Sequence, residues 1–374
     1  MIKVLQIGMC STLGGIESYL INYTRHIDRK KIRFDFISME SDKLCFQDEL
    51  ISYGCNVYKL PNYKKNPIKY ICELVKIIKK NKYDVVHYNM NSAVFLYPLI
   101  SAKIANVKVR IAHAHNSSND KGIIKSIIHN INRHLIPIFA NDFFACSQKA
   151  GKWFFSNKIL KSKSFYIINN GIDVDKFKFD ENKRNLIREK LKIKNDEILI
   201  GHVGRFYKQK NHVFLINILE KTKEINKKIK LVLIGNGPLK NEIINTVNKL
   251  NLQEWVIFLE PVDNIYEYYN AFDIFILPSL YEGLPLVGVE AQCSGCLCLF
   301  SDNITKELKI TKNVEYISLN SMEKWKERIL HLDFNDIDRN SVKLYDYDIK
   351  NNAKKLAQIY ITLKRRKGAD DGER

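Results

Sequence analysis

Long apolar runs are missing from these 374 residues. The nearest approach, 91–106, is broken by Lys103, whereas a bilayer-spanning helix needs about 20 apolar residues in a row. The opening Met1-Ile2-Lys3-Val4-Leu5-Gln6-Ile7-Gly8 stops at a glycine, short of the roughly 7–15 residues of a secretory apolar region, and offers no small-residue cleavage site. A cytoplasmic chain is therefore expected. Cysteine is sparse, 8 in all and unevenly placed, which excludes a disulfide scaffold. No solenoid repeat and no low-complexity linker interrupts the pattern. Two local absences say more. Residues 251–300 hold no Lys or Arg but 7 Asp+Glu, and residues 51–170 hold 4 Asp+Glu against 19 Lys+Arg.

A hydrophobic fraction of 45% excludes wholesale disorder, and the length exceeds one core of about 100–200 residues, so two domains are expected. The net charge of +19 asks for an anionic partner: nucleic acid, a membrane surface or a phosphorylated substrate. A charge run also serves as a plain solvated face.

Short β-branched runs alternate with amphipathic stretches. Strands are expected at 4–7, 34–38, 56–60, 85–88, 109–113, 142–146 and 165–168, with helices over 18–27 and 67–80. The pattern restarts with strands at 198–203, 230–234, 256–259 and 274–277 and helices near 213–225 and 239–250. Such alternation predicts an α/β architecture of two doubly wound parallel sheets, with ligands at the carboxyl ends of the strands in a central cleft. The expected domains are 1–178 and 179–348. From 349 a C-terminal helix, free to pack back on the first domain, runs into a disordered tail. Its Lys364-Arg365-Arg366-Lys367 would suit the helix dipole.

Four motifs could carry chemistry. Gly14-Gly15-Ile16-Glu17 opens a helix after the first strand, where N–H groups are free to meet a phosphate; a Gly-Gly pair is also ordinary turn chemistry. Gly204-Arg205 and Lys210 leave the carboxyl end of the 198–203 strand, two cations suited to a diphosphate. Gly235-Asn236-Gly237-Pro238 lacks the third glycine of a dinucleotide fingerprint, so a nicotinamide site is not expected. Glu282-Gly283-Leu284-Pro285 and Glu290 place two carboxylates around a turn in the segment without basic residues. With Glu282 on the loop, Pro285 starting the helix and Glu290 about two turns inside, both read as unpaired carboxylates ready to accept hydrogen bonds from sugar hydroxyls.

With Arg110 to Asn116, Ala145-Cys146-Ser147, Asn169-Asn170-Gly171-Ile172-Asp173 and Ser301 to Thr305, these motifs follow one order over nearly the whole chain. In that order they resemble a family 4 glycosyltransferase of the GT-B fold, of the kind found in bacterial capsule and exopolysaccharide clusters. The resemblance implies transfer of a hexose-type sugar, with retention, from a nucleotide-diphosphate sugar (UDP-sugar foremost) to a glycan or polyprenyl-diphosphate-linked acceptor. It gives Glu290 the donor's ribose, Glu282 its sugar hydroxyls, Arg205 and Lys210 its diphosphate, and Gly15, beside Gly14, a place under the phosphates. Gly204 and Gly283-Leu284-Pro285 belong to the same donor site. A catalytic histidine follows from the resemblance too; His113 and His115 both fit, and His115, followed by Asn116, is favoured. No cofactor and no metal is implied, and Asp173-Val174-Asp175, although it has a metal-site spacing, is read as structural. Cys293, Cys296 and Cys298 read as small packing residues behind the Glu290 helix. The family tends to have Pro where this chain has Leu297; that departure, and Gly288 inside the Glu290 helix, would lessen local rigidity more than activity.

A nucleotide-sugar epimerase of similar fold is the alternative, and a basic nucleic-acid-binding protein the alternative of another class. The second leaves the acidic 251–300 segment unexplained, so no nucleic acid is expected. The basic first domain is expected instead to meet anionic lipid at the inner membrane leaflet, or the diphosphate of a lipid-borne acceptor, as a peripheral protein.

Overall fold

The computed structural model describes residues 1–39, 42–117, 122–226, 228–332, 339 and 345–369. By its internal contacts the chain divides into two compact units. One is Met1–Gly171 together with the segment from Asp346 onward; the other is Ile172–Tyr345. Each is built on one parallel sheet.

The first unit holds β1 (Ile2–Ile7), β2 (Ile32–Ser38), β3 (Val57–Lys59), β4 (Val85–Met90), β5 (Val109–Ala114), β6 (Asp142–Ala145) and β7 (Phe165–Ile167). Their order across the sheet is β3-β2-β1-β4-β5-β6-β7. Alternate residues feed opposite faces, as a period of two requires. Leu5 and Ile7 join Leu74, Leu99 and Ala112 on one face; Val4 joins Tyr19, Phe36, Ile111 and Phe144 on the other. The second face is completed by the C-terminal helix, Ile349–Ala369, through Ile349, Leu356, Tyr360 and Leu363. Lys364 and Arg366 of that helix pair with Asp84 and Asp142, so these two basic residues have specific carboxylate partners and not only a helix dipole. The side chain of Lys367 and the tail from 370 lie outside the described residues.

The second unit holds β8 (Ile198–Val203), β9 (Ile229–Ile234), β10 (Val256–Leu259), β11 (Ile274–Leu277), β12 (Leu297–Ser301) and β13 (Val314–Ile317), ordered β10-β9-β8-β11-β12-β13. Every strand expected from the sequence is present. Two were not foreseen, β12 and β13. The first, Leu-Cys-Leu-Phe-Ser, has no β-branched residue and reads as a cysteine cluster. A 17-residue helix, Ile123–Phe139, was not foreseen either, since β-branched isoleucines and an interior Pro137 argue locally against it.

Both strand orders reverse once, between β1 and β4 and between β8 and β11. A reversal sends the flanking connections to opposite faces and leaves room at the carboxyl ends of the two strands. Among the described residues no helix is long and apolar enough to cross a membrane.

Candidate functional site

In the second unit the reversal brings together the loops that follow β8 and β11. Lys210 ends a 3-10 turn, Lys208–Lys210, and its side chain lies across Gly204, where a Cβ would come within 3.3 Å of Lys210 Cδ and Cε. Lys210 Nζ donates to Glu282 Oε1 at 2.7 Å, with the two side chains only 16% and 11% exposed. Glu282 is therefore not the unpaired carboxylate that the sequence indicated: its partner stands 72 positions away and only the fold supplies it. Three more bonds stitch the loops. Leu280 N–H donates to Gln209 O at 2.8 Å, Gln209 Nε2 to Tyr281 O at 2.9 Å and Asn211 Nδ2 to Pro278 O at 3.3 Å. Glu282 is further fixed by a parallel bridge to Ile304. Arg205 is exposed, its Cζ 4.7 Å from the Tyr207 ring centre and its Nη2 donating to Tyr207 Oη at 3.2 Å.

The glycines of Gly235-Asn236-Gly237 let this turn close on the Gly204–Phe206 loop. At Gly235 (φ +152°) a Cβ would fall 2.1 Å from Gly204 O, and at Gly237 (φ +158°) 2.7 Å from Phe206 N and O. Phe206 N–H donates to Asn236 O at 3.0 Å, so the two turns lie backbone on backbone.

Gly283 and Leu284 form the bend after Glu282, and Pro285 is the N-cap of the helix Leu286–Cys293. Glu290 is its fifth residue, a little over one turn in, not two. Tyr269 Oη donates to Glu290 Oε2 at 2.8 Å. Burial nonetheless pushes the Glu290 carboxyl up to about 7, outweighing the Tyr269 bond that lowers it. Gly288 does not loosen the helix: a Cβ there would stand 2.8 Å from Leu308 Cδ2 and 3.1 Å from Phe300 Cζ, so its absence lets the helix pack closely.

The sequence reading missed His202 and His212, whose spacing around Gly204 and Lys210 was its only signal. His202 is bonded at Nδ1 to Ile276 O, 2.8 Å away. A carbonyl only accepts, so Nδ1 carries the proton and Nε2 is a bare lone pair. Neither it, nor either nitrogen of His212, nor Ser279 Oγ has a hydrogen-bond partner among the described residues. Burial pushes His212 down to about 4 and holds His202 well below the usual histidine range.

In the first unit Gly14 is the N-cap of the helix Gly15–His26. A Cβ on Gly15 would meet nothing within 4 Å, so that helix start is open. Glu17 folds back, its Oε1 accepting Cys10 N–H at 2.9 Å. A shallow cavity of ≈100 Å³ at the ends of β1 and β2 is lined by Gly8, Cys10, Ser11, Ser38, Asp42 and Tyr63.

Beside it lies a chain of buried polar groups. Asn89 Nδ2 donates to Ile7 O (3.2 Å) and Gln6 Oε1 (3.0 Å), so Asn89 Oδ1 faces His115 and Nε2 of His115 carries the hydrogen (3.0 Å). Gln6 Nε2 donates to Tyr360 Oη (3.1 Å), and the chain runs on from Tyr360 Oη to His87 Nδ1 (2.6 Å) and from His87 Nε2 to His113 Nδ1 (2.9 Å). His113 Nε2 and the Nδ1 lone pair of His115 have no hydrogen-bond partner among the described residues. Burial holds all three rings neutral, His115 down to about 3. His113 is wholly buried; His115, just past β5, is partly exposed.

Asp173 Oδ1 accepts Lys176 N–H at 3.4 Å as the N-cap of the short helix Val174–Phe177. The thiols of Cys293, Cys296 and Cys298 are buried and donate to the carbonyls of Val174, Tyr269 and Cys296.

Residues 13–176 match the family model described as Glycosyltransferase Family 4, and residues 183–345 that described as Glycosyl transferases group 1. EpsF of Bacillus subtilis, described as a glycosyltransferase, is 33% identical over 313 residues, 82% of this chain and 80% of EpsF. An Escherichia coli enzyme named UDP-Gal:alpha-D-GlcNAc-diphosphoundecaprenol alpha-1,3-galactosyltransferase is 26% identical over 83% of this chain and 82% of its own. Among solved structures, Anabaena HepE in complex with UDP superposes with a TM-score of 0.75 over the full length of both chains at 17% identity.

Proposed function

The chain belongs to the family 4 glycosyltransferases, and from that premise we propose that it moves a hexose-type sugar from a uridine diphosphate sugar to a polyprenyl-diphosphate-linked glycan, with retention, in bacterial surface-polysaccharide synthesis. The observation that carries the reading is the Lys210–Glu282 pair where the strand order of the second unit reverses, with Arg205 on the same loop as Lys210 and Glu290 on the helix that follows Glu282. Lys210 and Arg205 meet the diphosphate, and their charge stabilises the oxygen that gains an electron pair as the sugar–phosphate bond breaks. Glu282, oriented by Lys210, accepts hydrogen bonds from sugar hydroxyls, and Glu290 accepts those of the ribose. The acceptor oxygen bonds to the same face of the anomeric carbon, and its proton leaves on the diphosphate.

The first unit takes the acceptor. The open start of the Gly15–His26 helix supports close approach of phosphate there. His115 offers a lone pair to a sugar hydroxyl; with its basicity pushed down to about 3 it positions and does not deprotonate. The donor and the lipid-linked acceptor are supported by the printed name of the Escherichia coli relative and by the UDP bound to HepE. No metal enters this reading, and the protein works at the inner face of the membrane.

A thermal-shift screen of nucleotides and nucleotide sugars tests the proposal. At about 100 times its dissociation constant the right donor should stabilise the protein by about 2.7 kcal/mol. Lys210→Ala should abolish that shift and lower transfer, assayed in EDTA, by about 10²–10³-fold. If no nucleotide moves the melting curve, the donor reading is wrong.

A further inference from the structure

One buried group beside Lys210 has no task in the transfer chemistry. His202 lies in β8 and is fully buried. A Cβ on Gly204 would stand 3.1 Å from His202 Nε2 and 3.3 Å from both Cδ and Cε of Lys210. Imidazole edge and lysine stem therefore flank one point, and a glycine keeps it clear. Nζ lies one bond beyond Cε, at the end of a flexible stem with rotatable donors, which puts Nε2 within its reach.

The ring itself is held still. Nδ1 donates to Ile276 O of the neighbouring strand β11 at 2.8 Å, Phe275 lies parallel to the ring with centres 6.4 Å apart, and His212 meets it edge-on at 4.8 Å. His212 is fixed in turn by stacking on Phe206 at 4.1 Å. Tautomer and direction of the Nε2 lone pair are thereby set, and that lone pair has no partner among the described residues. Packing accounts for the Nδ1 bond and the stacked faces, but a buried acceptor is seldom left idle. Burial first, and then His212, holds His202 below the usual histidine range, so it can accept a hydrogen bond without repelling an ammonium. The ammonium of Lys210 has three donors. Glu282 Oε1 takes one at 2.7 Å, and in the proposed function a diphosphate oxygen takes a second.

We propose that His202 is a positioning residue for Lys210: with diphosphate bound, its Nε2 lone pair accepts the third N–H and holds the ammonium over Gly204. Glu282 can then turn an oxygen to sugar hydroxyls without releasing Lys210. This rests on the diphosphate role given to Lys210 above, and adds the residue that keeps it there.

Titration with uridine diphosphate, followed by nuclear magnetic resonance so that weak binding is still read, tests it on wild type, His202→Phe, Lys210→Ala and the double variant. His202→Phe keeps an aromatic ring and removes the lone pair, and should weaken binding about tenfold. In the Lys210→Ala background the same change should matter less than about twofold, because the partner is gone. A role in packing only would give equal losses in both backgrounds. Should His202→Phe fail to fold, the nitrogen-15 resonance of His202 Nε2 gives a second readout. It should move toward the hydrogen-bonded range as uridine diphosphate saturates wild type, and stay in place in Lys210→Ala. Wild-type affinity in His202→Phe, equal losses in the two backgrounds, or an Nε2 resonance that ignores uridine diphosphate overturns the proposal while the donor site stands. A Lys210→Ala variant that binds as tightly as wild type fails differently: it takes the diphosphate away from Lys210, and the premise goes with it.

Discussion

Glu290 carries a carboxyl that burial moves from 4.5 to about 7, and this has a sign. Because the folded-state value lies above the unfolded one, the stability it contributes is complete below about pH 4.5 and lost as pH rises through about 7. Ribose hydroxyls need the ionised form as acceptor, so nucleotide affinity should move the other way. It should climb by up to about tenfold per pH unit below the shifted value, with a proton released on binding. Calorimetric titration in buffers of different ionisation enthalpy would detect that proton, and Glu290→Gln should eliminate it. An affinity that is flat from about pH 6 to about pH 8 would remove Glu290 from the ribose. Sequence spacing marked Glu282, Glu290, Arg205 and Lys210 as candidates. It could not give the Lys210–Glu282 pair, nor the hydrogen-bond chain that sets the His115 tautomer. That chain joins Gln6 to Tyr360 across 354 positions, and no local pattern encodes such a contact.

Glycines divide the elements into those that the fold needs and those that a ligand needs. At Gly8 (φ +124°) a Cβ would sit 2.2 Å from Asn89 O, so Gly8→Ala should cost about 1–3 kcal/mol or more and lower the melting temperature. Gly15 has ordinary backbone angles and open space around it. Gly15→Ala should therefore melt no lower than wild type, and yet transfer poorly, because its methyl group stands where a phosphate approaches. Wild-type turnover by Gly15→Ala would show that the space is unused. Both glycines were visible in the sequence; which was structural was not, since that depends on what lies opposite. Strands buried on both faces wrote themselves as apolar runs. β12 and the Ile123–Phe139 helix were missed because their composition opposes their conformation, and tertiary packing decides it.

Across the whole chain, the excess of positive charge resolves into local features. The described acidic groups of 51–170 are each engaged: Glu73 with Lys76, Asp84 with Lys364 and Asp142 with Arg366. The remaining described lysines of that segment are exposed. The division into two sheets was legible, because strand–helix alternation starts twice. The return of Ile349–Ala369 to the first unit was open in the sequence, as an amphipathic helix does not name the surface it covers. A chain truncated after Tyr345 should lose the cooperative melting of the first unit while the second still binds uridine diphosphate by calorimetry. A first unit that melts cooperatively without the helix would contradict this. The contribution of that helix also reverses the order of assembly on the ribosome. Residues 172–345 form an uninterrupted unit that can close as soon as it emerges. The first unit, although synthesised earlier, must wait with Val4, Tyr19 and Phe36 uncovered until Leu356, Tyr360 and Leu363 arrive to seal them. The half made first is finished last, and in that interval a holdase chaperone has most to protect.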